Sequence, residues 1–258
     1  MSEVTTERVG RTLIVTLARP EARNALTPEV VNEMRAAFEG AAKDDSVRCV
    51  VLTGGGGHFC AGADLRKNME DPTVMEKIDQ HLDEFHGFIR SIVRCPKPTV
   101  AMVDGAAVGF GADMAFACDL RVVSTRSYVQ EKFVGIGLMP DGGGTFWLPR
   151  LLGTARAMQM CLLADKLEGP KLAELGVAVE AVPAEKLRER TLDLAARLAK
   201  GPPLAYAAIK EALYASWGDL DAALRRERTS QLRLLRTADM MEGVLAFMQK
   251  REPDFQGR

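Results

Sequence analysis

The sequence has no uninterrupted apolar run near the ~20 residues that a membrane-spanning helix requires, so no membrane partner is expected. It has almost no net charge. Its 34 Lys and Arg against 35 Asp and Glu leave −1 at neutral pH, which gives no electrostatic reason to expect DNA, RNA or an anionic surface as partner. Cysteine is sparse and odd in number. Cys49, Cys60, Cys95, Cys118 and Cys161 form neither a CxxC pair nor a Cys/His zinc spacing, and they read as reduced packing thiols of a cytoplasmic protein. The first ten residues carry acids and no apolar stretch, so no secretion signal is expected there.

Several signatures are missing although glycine is plentiful. A dinucleotide fingerprint needs glycines at i, i+2 and i+5. The third position holds Phe59 counted from Gly54, Cys60 from Gly55 and Trp147 from Gly142. Gly57 and Gly62 have the gap of a phosphate loop, but Ala63 stands where its lysine belongs. There is no GxSxG elbow for a serine nucleophile. His58, His81 and His86 are the only histidines. His81 and His86 are five apart, poor spacing for one metal on a helix face, and read as surface residues. His58 reads as a solvated loop residue. A Cys60 nucleophile served by His58 would need near neighbours in the chain to converge, which they rarely do. No metal site is expected.

The chain has 258 residues, 47% of them hydrophobic, which suffices for a full core in one large domain or two small ones. Val4–Arg8 and Thr12–Leu17 read as a hairpin. Thr27 can cap a helix with Pro28 at its first position, and Val30, Val31, Met34, Phe38 and Ala41 follow at helical spacing. Cys49–Thr53 reads as a buried strand ended by Gly54–Gly57. A helix is expected over Val74–Val93, stopped by Pro96 and Pro98. A strand is expected over Thr99–Val103, a buried helix over Ala107–Ala117 and a strand over Leu120–Ser124. This alternation argues for an α/β core. Further on, Leu148–Ala164 reads as helix and Gly176–Val182 allows a short strand. Everything from Ala184 reads as helical, broken at Gly201, Pro202 and Pro203. The last helix shows Met241, Val244, Leu245 and Met248 on one face, a stripe that fits core or a subunit interface.

Three segments concentrate small residues: Gly57–Leu65 (GHFCAGADL), Val103–Asp119 (VDGAAVGFGADMAFACD) and Gly135–Thr145 (GIGLMPDGGGT). Two of them follow an expected strand, and the second opens a helix, whose first N–H groups lack intrahelical partners. Small residues let a ligand oxygen approach backbone donors. Two such donors from separate segments could meet at one oxygen.

With these segments, and with Ala18–Thr27 (ARPEARNALT), Leu148–Gly153 (LPRLLG) and Ala246–Phe255 (AFMQKREPDF), the chain resembles the enoyl-CoA hydratase/isomerase, or crotonase, family over nearly its whole length. The resemblance implies an α/β fold of ββα units wound into a spiral. Residues 1–200 would form the core with an acyl-CoA site, and residues 201–258 a C-terminal helical trimerisation region. A homotrimer or a dimer of trimers is implied. The ligand implied is a CoA thioester, CoA entering as part of the substrate and no separate cofactor being needed. The family's oxyanion hole maps onto the backbone N–H groups of Ala63 and Phe110. The family usually has glycine or another small residue where Phe110 stands, so the ring should pack away from the thioester oxygen. Arg23, Ala25, Ala61, Asp64 and Leu65 map near the CoA moiety. Phe247 and Lys250 are expected to help close the pocket, from the same or a neighbouring subunit, and the helix over 74–93 to cover the acyl group.

Hydratases of the family activate water with two glutamates, whose counterparts here are Asp113 and Phe133. One is a shorter carboxylate and the other cannot carry a proton. Asp141 offers a replacement, because several family isomerases carry an aspartate there and a family dehalogenase uses one as nucleophile. Double-bond isomerisation of an unsaturated acyl-CoA through Asp141 is therefore the expected activity. Hydration of a 2-enoyl-CoA and a non-catalytic acyl-CoA-binding role are the alternatives. An apolar surround from Phe133, Met139 and Phe146 should raise the Asp141 pKa toward working pH. Pro140-Asp141-Gly142 is also ordinary turn chemistry, and Asp113 fits either a second acid/base or a structural hydrogen bond.

Overall fold

In a computed structural model, residues 2–70, 76–216, 220–251 and 253 are described. Strands β1 (Val4–Val9) and β2 (Thr12–Leu17) form the expected antiparallel hairpin, Val4 opposite Leu17. Helix α1 (Pro28–Lys43) follows, with the Thr27 side chain accepting from the Val30 N–H at 3.4 Å and the five expected apolar residues buried. That cap and stripe are local, so periodicity alone reveals them.

From β2 onward the main sheet is parallel, in the order β1-β2-β3-β4-β6-β9, with β3 at Cys49–Gly54, β4 at Thr99–Val103, β6 at Leu120–Ser124 and β9 at Glu180–Val182. Alternation along β3 sends Val50 and Leu52 toward α1 and the main core. Cys49 and Val51 face the opposite layer, where Leu187, Leu194 and Ala195 of the helix Ala184–Ala199 cover them. Both faces being covered explains why β3 reads as a continuous apolar run.

A second, small sheet holds β5 (Ala106–Val108), β7 (Tyr128–Gln130) and β8 (Lys166–Glu168). Each long strand is followed by a short segment in this layer. β4 leads to β5, β6 leads to β7, and after β3 the chain bridges Cys60 to Ala107. This is the repeated ββα unit. Three expectations are corrected here. The stretch 107–117 begins in strand β5, and the helix there is only Phe110–Ala117. The stretch 148–164 is two helices, Gly144–Leu152 and Thr154–Leu163, separated at Gly153. The helix expected from Val74 runs Ile78–Arg94, and Val74 itself lies outside the described residues. The strands β7 and β8 and the short helix Leu65–Glu70 were not anticipated, being too brief for a periodic signal.

In chain order the helices after α1 are α2 (Leu65–Glu70), α3 (Ile78–Arg94), α4 (Phe110–Ala117), α5 (Gly144–Leu152), α6 (Thr154–Leu163), α7 (Gly169–Glu174), α8 (Ala184–Ala199), α9 (Pro203–Ser216), α10 (Leu220–Leu234) and α11 (Ala238–Gln249). Helix α9 docks on the core through Asp119. That carboxylate accepts from Lys210 Nζ at 2.6 Å, from Tyr214 at 3.2 Å and from the Thr99 N–H at 2.8 Å. Helix α10 lies along α3, with Asp221 meeting Arg90 at 2.7 Å and Arg94 at 2.8 Å, and Arg228 meeting Asp83 at 3.0 Å. These partly exposed pairs contribute little stability each, but they fix which face of α10 looks inward. Among the described residues no helix is long and apolar enough to cross a membrane.

Candidate active site

The loop after β3 is clamped before it reaches the site. Asn24, fully buried, donates to the carbonyls of Gly55 and His58, each at 2.8 Å, and accepts from the Arg19 N–H at 3.0 Å. Beyond it the loop bridges Leu26 to Ala63 in parallel. The Leu26 N–H donates to the Gly62 carbonyl and the Asp64 N–H to the Leu26 carbonyl, both at 2.8 Å. Alternation along the strand turns the Ala63 N–H away from Leu26, and Ala63 lines the cavity.

The opposing wall is the start of α4. Gly109 has φ +54 and donates to the Gln130 carbonyl at 2.8 Å, and α4 begins at the next residue. The Phe110 N–H therefore sits at the first position of a helix, where no intrahelical acceptor exists. Gly62, at φ +92, lets the two walls approach. A β-carbon there would lie 2.9 Å from the Val108 carbonyl oxygen and 3.8 Å from Phe110 N. Neither the Ala63 nor the Phe110 amide has a hydrogen-bond acceptor among the described residues, and both residues line one cavity of about 350 Å³. The Phe110 ring packs edge-on against Phe85 at 4.8 Å and is almost wholly buried.

Asp141 lines the same cavity and is the one carboxylate among its described lining residues. Its Oδ2 accepts from Gln231 Nε2 at 2.8 Å, and its backbone carbonyl meets His86 Nε2 at 2.8 Å. Removal from water pushes the Asp141 pKa up to about 7, against the pull of the Gln231 donor. His86 had been expected at the surface, and this is corrected. It is 1% exposed on the buried face of α3, and burial pushes its pKa down to about 4. A neutral ring can give a proton to a carbonyl only from a protonated nitrogen, so Nε2 carries it. His81 is half-buried and lines the cavity, which also departs from the surface reading.

The remaining candidates divide. Arg23, Ala61, Leu65, Phe133 and Phe247 line the cavity. The Phe133 ring lies over Gly109, 3.6 Å from where a β-carbon would stand. Phe247 reaches the cavity from the same chain, with Lys132 Nζ 5.5 Å above its ring. Ala25, Asp64 and Lys250 do not line it. Ala25 is packed in the core, Asp64 is held by Arg19 at 2.9 Å, and Lys250 is an exposed cap of α11. Phe146, expected to desolvate Asp141, packs on Trp147 instead. Asp113 is fully buried outside the cavity, and its Oδ2 accepts from the Gly142 N–H at 3.0 Å. Cys60 is buried with its thiol pushed up to about 12, which removes the thiolate that a nucleophile needs.

Sequence reasoning missed Gln231. It lies on α10 seven residues after the fully buried Leu224, so a polar residue on an apolar stripe was the available signal. With Leu235 and Phe247 it brings residues beyond 201 into the cavity wall; Phe247 was expected there, Gln231 and Leu235 were not.

A parallel sheet with a short second layer, wound in ββα units around two cavity-facing amides, defines the crotonase class of folds. Residues 8–258 match the family model described as enoyl-CoA hydratase/isomerase, and the chain belongs to that family. It is 41% identical over 95% of its length to a probable enoyl-CoA hydratase of Rhodobacter capsulatus, covering 94% of that protein. It is 36% identical to the 1,2-epoxyphenylacetyl-CoA isomerase of Escherichia coli, over 95% of each chain. The solved structure of an enoyl-CoA hydratase from Mycobacterium avium subsp. paratuberculosis superposes with a TM-score of 0.90 at 34% identity, over 99% of each chain. The protein is thus an acyl-CoA enzyme of this family.

Proposed function

We propose that the enzyme moves the double bond of an unsaturated acyl-CoA, with Asp141 as the proton carrier. The observation that carries this reading is the single carboxylate on the cavity wall among the described residues. The thioester oxygen sits between the N–H groups of Ala63 and Phe110. Asp141 takes a proton from an acyl carbon, and the C–H electron pair flows into the conjugated system to give an enolate. The two amides bear the developing charge, each worth about 2.7–4 kcal/mol of barrier by analogy with other oxyanion holes. Asp141 then returns the proton to a different carbon, the thioester carbonyl re-forms, and the double bond has shifted with no net change in atoms. A carboxylate near pKa 7 is a far better base at neutral pH than an ordinary one. Arg23, Ala61 and Leu65 contact the CoA moiety in this reading, and Phe247 closes the pocket. The exposed apolar residues Met241, Leu245 and Met248 on α11 support a trimer contact.

Hydration is the second reading, favoured by the hydratases among the relatives. It needs a pair of acid/base groups around one water. Asp113 hydrogen-bonds the loop from behind, and Phe133 occupies the other position. The discriminating experiment incubates the enzyme separately with a 2-enoyl-CoA and a 3-enoyl-CoA. Conversion of the 3-enoyl ester to its 2-enoyl isomer is expected. A 3-hydroxyacyl product from the 2-enoyl ester would defeat the isomerase reading, and tight binding of both without turnover would mark a binding protein.

A further inference from the structure

We propose that Gln231 is a positioning residue that dedicates Oδ1 of Asp141 to the substrate by occupying Oδ2. The inference rests on the reading of Asp141 as the proton carrier. Gln231 is 2% exposed and lines the cavity from α10. Its orientation is fixed by its two partners. The Met139 N–H can only donate, and it reaches Gln231 Oε1 at 3.3 Å, so Nε2 must face the carboxylate. One side chain thereby grips the loop at both ends of Met139–Asp141. His86 holds the same loop a third time, through the Asp141 carbonyl.

The choice of an amide has a chemical consequence. Gln231 is an uncharged donor that does not titrate, so it steadies the carboxylate without the strong pKa depression that a lysine or arginine would impose. Desolvation raises the pKa of the base, while this hydrogen bond and that of the Asp141 backbone N–H lower it. Among the other charged or titratable groups, Arg23, Tyr128 and Lys132 line the same cavity, and the buried Glu131 lies beside Gly144. His86 and His81 come from α3, Arg228 on α10 is turned to Asp79 and Asp83, and Asp113 lies behind the Gly142 amide. Helix α10 is held against α3 by the Asp221 and Arg228 pairs, so the C-terminal region helps to position the base.

The test compares wild type with Gln231→Met, which keeps length and loses the donor. The Asp141 carboxyl carbon is titrated by NMR, and kcat and KM are measured with a 3-enoyl-CoA. The apparent pKa of Asp141 should rise by about one unit. The value of kcat should fall about tenfold while KM stays within about twofold, because the base is loosened and binding is not. An unmoved titration, or a change confined to KM, overturns the proposal. If Gln231→Met does not fold, Gln231→Glu serves. Its carboxyl donates only while protonated, so the rate should rise and then fall with pH, and a plain rising limb overturns the proposal. Asp141→Asn is assayed alongside. Full turnover in that variant removes the proton carrier itself and with it Gln231's role, whereas a dead Asp141→Asn beside an unaltered Gln231→Met defeats the positioning role alone.

Discussion

The two corners of the cavity are built on different principles. In the proposed mechanism the amide corner is backbone: the N–H groups of Ala63 and Phe110, both on the cavity wall, bear the charge, and the side chains are incidental. The carboxylate corner is side chain: Asp141 is held by Gln231 and His86, which lie 90 and 55 residues away in the chain. A backbone device of this kind would tolerate an unusual residue, such as the phenylalanine at position 110. A side-chain device tolerates little, because the Asp141 carboxylate and its backbone carbonyl each depend on one donor group, Gln231 and His86. The first corner should therefore break through glycine geometry and the second through single functional groups.

The largest effect belongs to the carboxylate. Asp141→Asn should lower kcat by about 10²–10⁴-fold, the usual weight of a general base. Thioester affinity should stay within a few-fold, read by calorimetry with a non-reactive acyl-CoA. Turnover near wild type would exclude Asp141 as the base. Next in size comes the geometry of the amide corner. Gly62→Ala puts a β-carbon 2.9 Å from the Val108 carbonyl oxygen at a φ of +92, so the loop must move. A shift of about 1 Å in the Ala63 amide should cost roughly 10²-fold in kcat, beside a stability loss of about 1–3 kcal/mol. Unchanged kinetics would mean that the amide is not placed by Gly62.

Phe110→Ala sharpens the contrast from the other side. The N–H remains, so kcat should change by less than about fivefold if the amide alone matters. The lost ring should cost about 3–5 kcal/mol, seen as a lower denaturant midpoint. A kinetic loss as large as that of Gly62→Ala would show that the ring, not the amide, is what position 110 supplies.

The same division explains what could be read from the chain beforehand. The amide corner was legible because glycine and alanine next to a strand or helix start leave a local pattern at Gly57–Leu65 and Val103–Asp119. Helix α1 and strand β3 were legible for the same reason, each carrying its full signal within a few residues. The supports of Asp141 left no such trace. His86 follows Leu82 by four and precedes Ile89 by three, so it shares their buried face, yet a histidine at that spacing suggested no partner across the fold. The end of strand β5 falls within the expected helix because Ala107 and Val108 are small and apolar, which suits either. Only the bridge to Cys60 and the pairing with β7 make it a strand.

The carboxylate corner also leaves a mark on stability, smaller than its mark on rate. Between pH 6.5 and about 4 the unfolded chain protonates His86 while the folded chain refuses the proton, so this group's stabilisation is present above 6.5 and is lost as pH falls. Asp141 runs the other way. Between pH 3.8 and about 7 the folded chain keeps a proton that the unfolded chain releases, so its contribution is present below 3.8 and is lost as pH rises toward 7. Over their common range the two slopes oppose each other in wild type. In Asp141→Asn only the His86 slope remains, and stability should drop by up to about 3 kcal/mol more than wild type between pH 6.5 and 4. In His86→Asn the Asp141 slope remains, and stability should instead fall relative to wild type as pH rises over the same interval. Comparing slopes between variants cancels the titration of every exposed carboxylate, which all three proteins share. Urea melts at the two ends of the interval suffice, and parallel slopes for the three proteins would show that neither group is held away from its ordinary pKa.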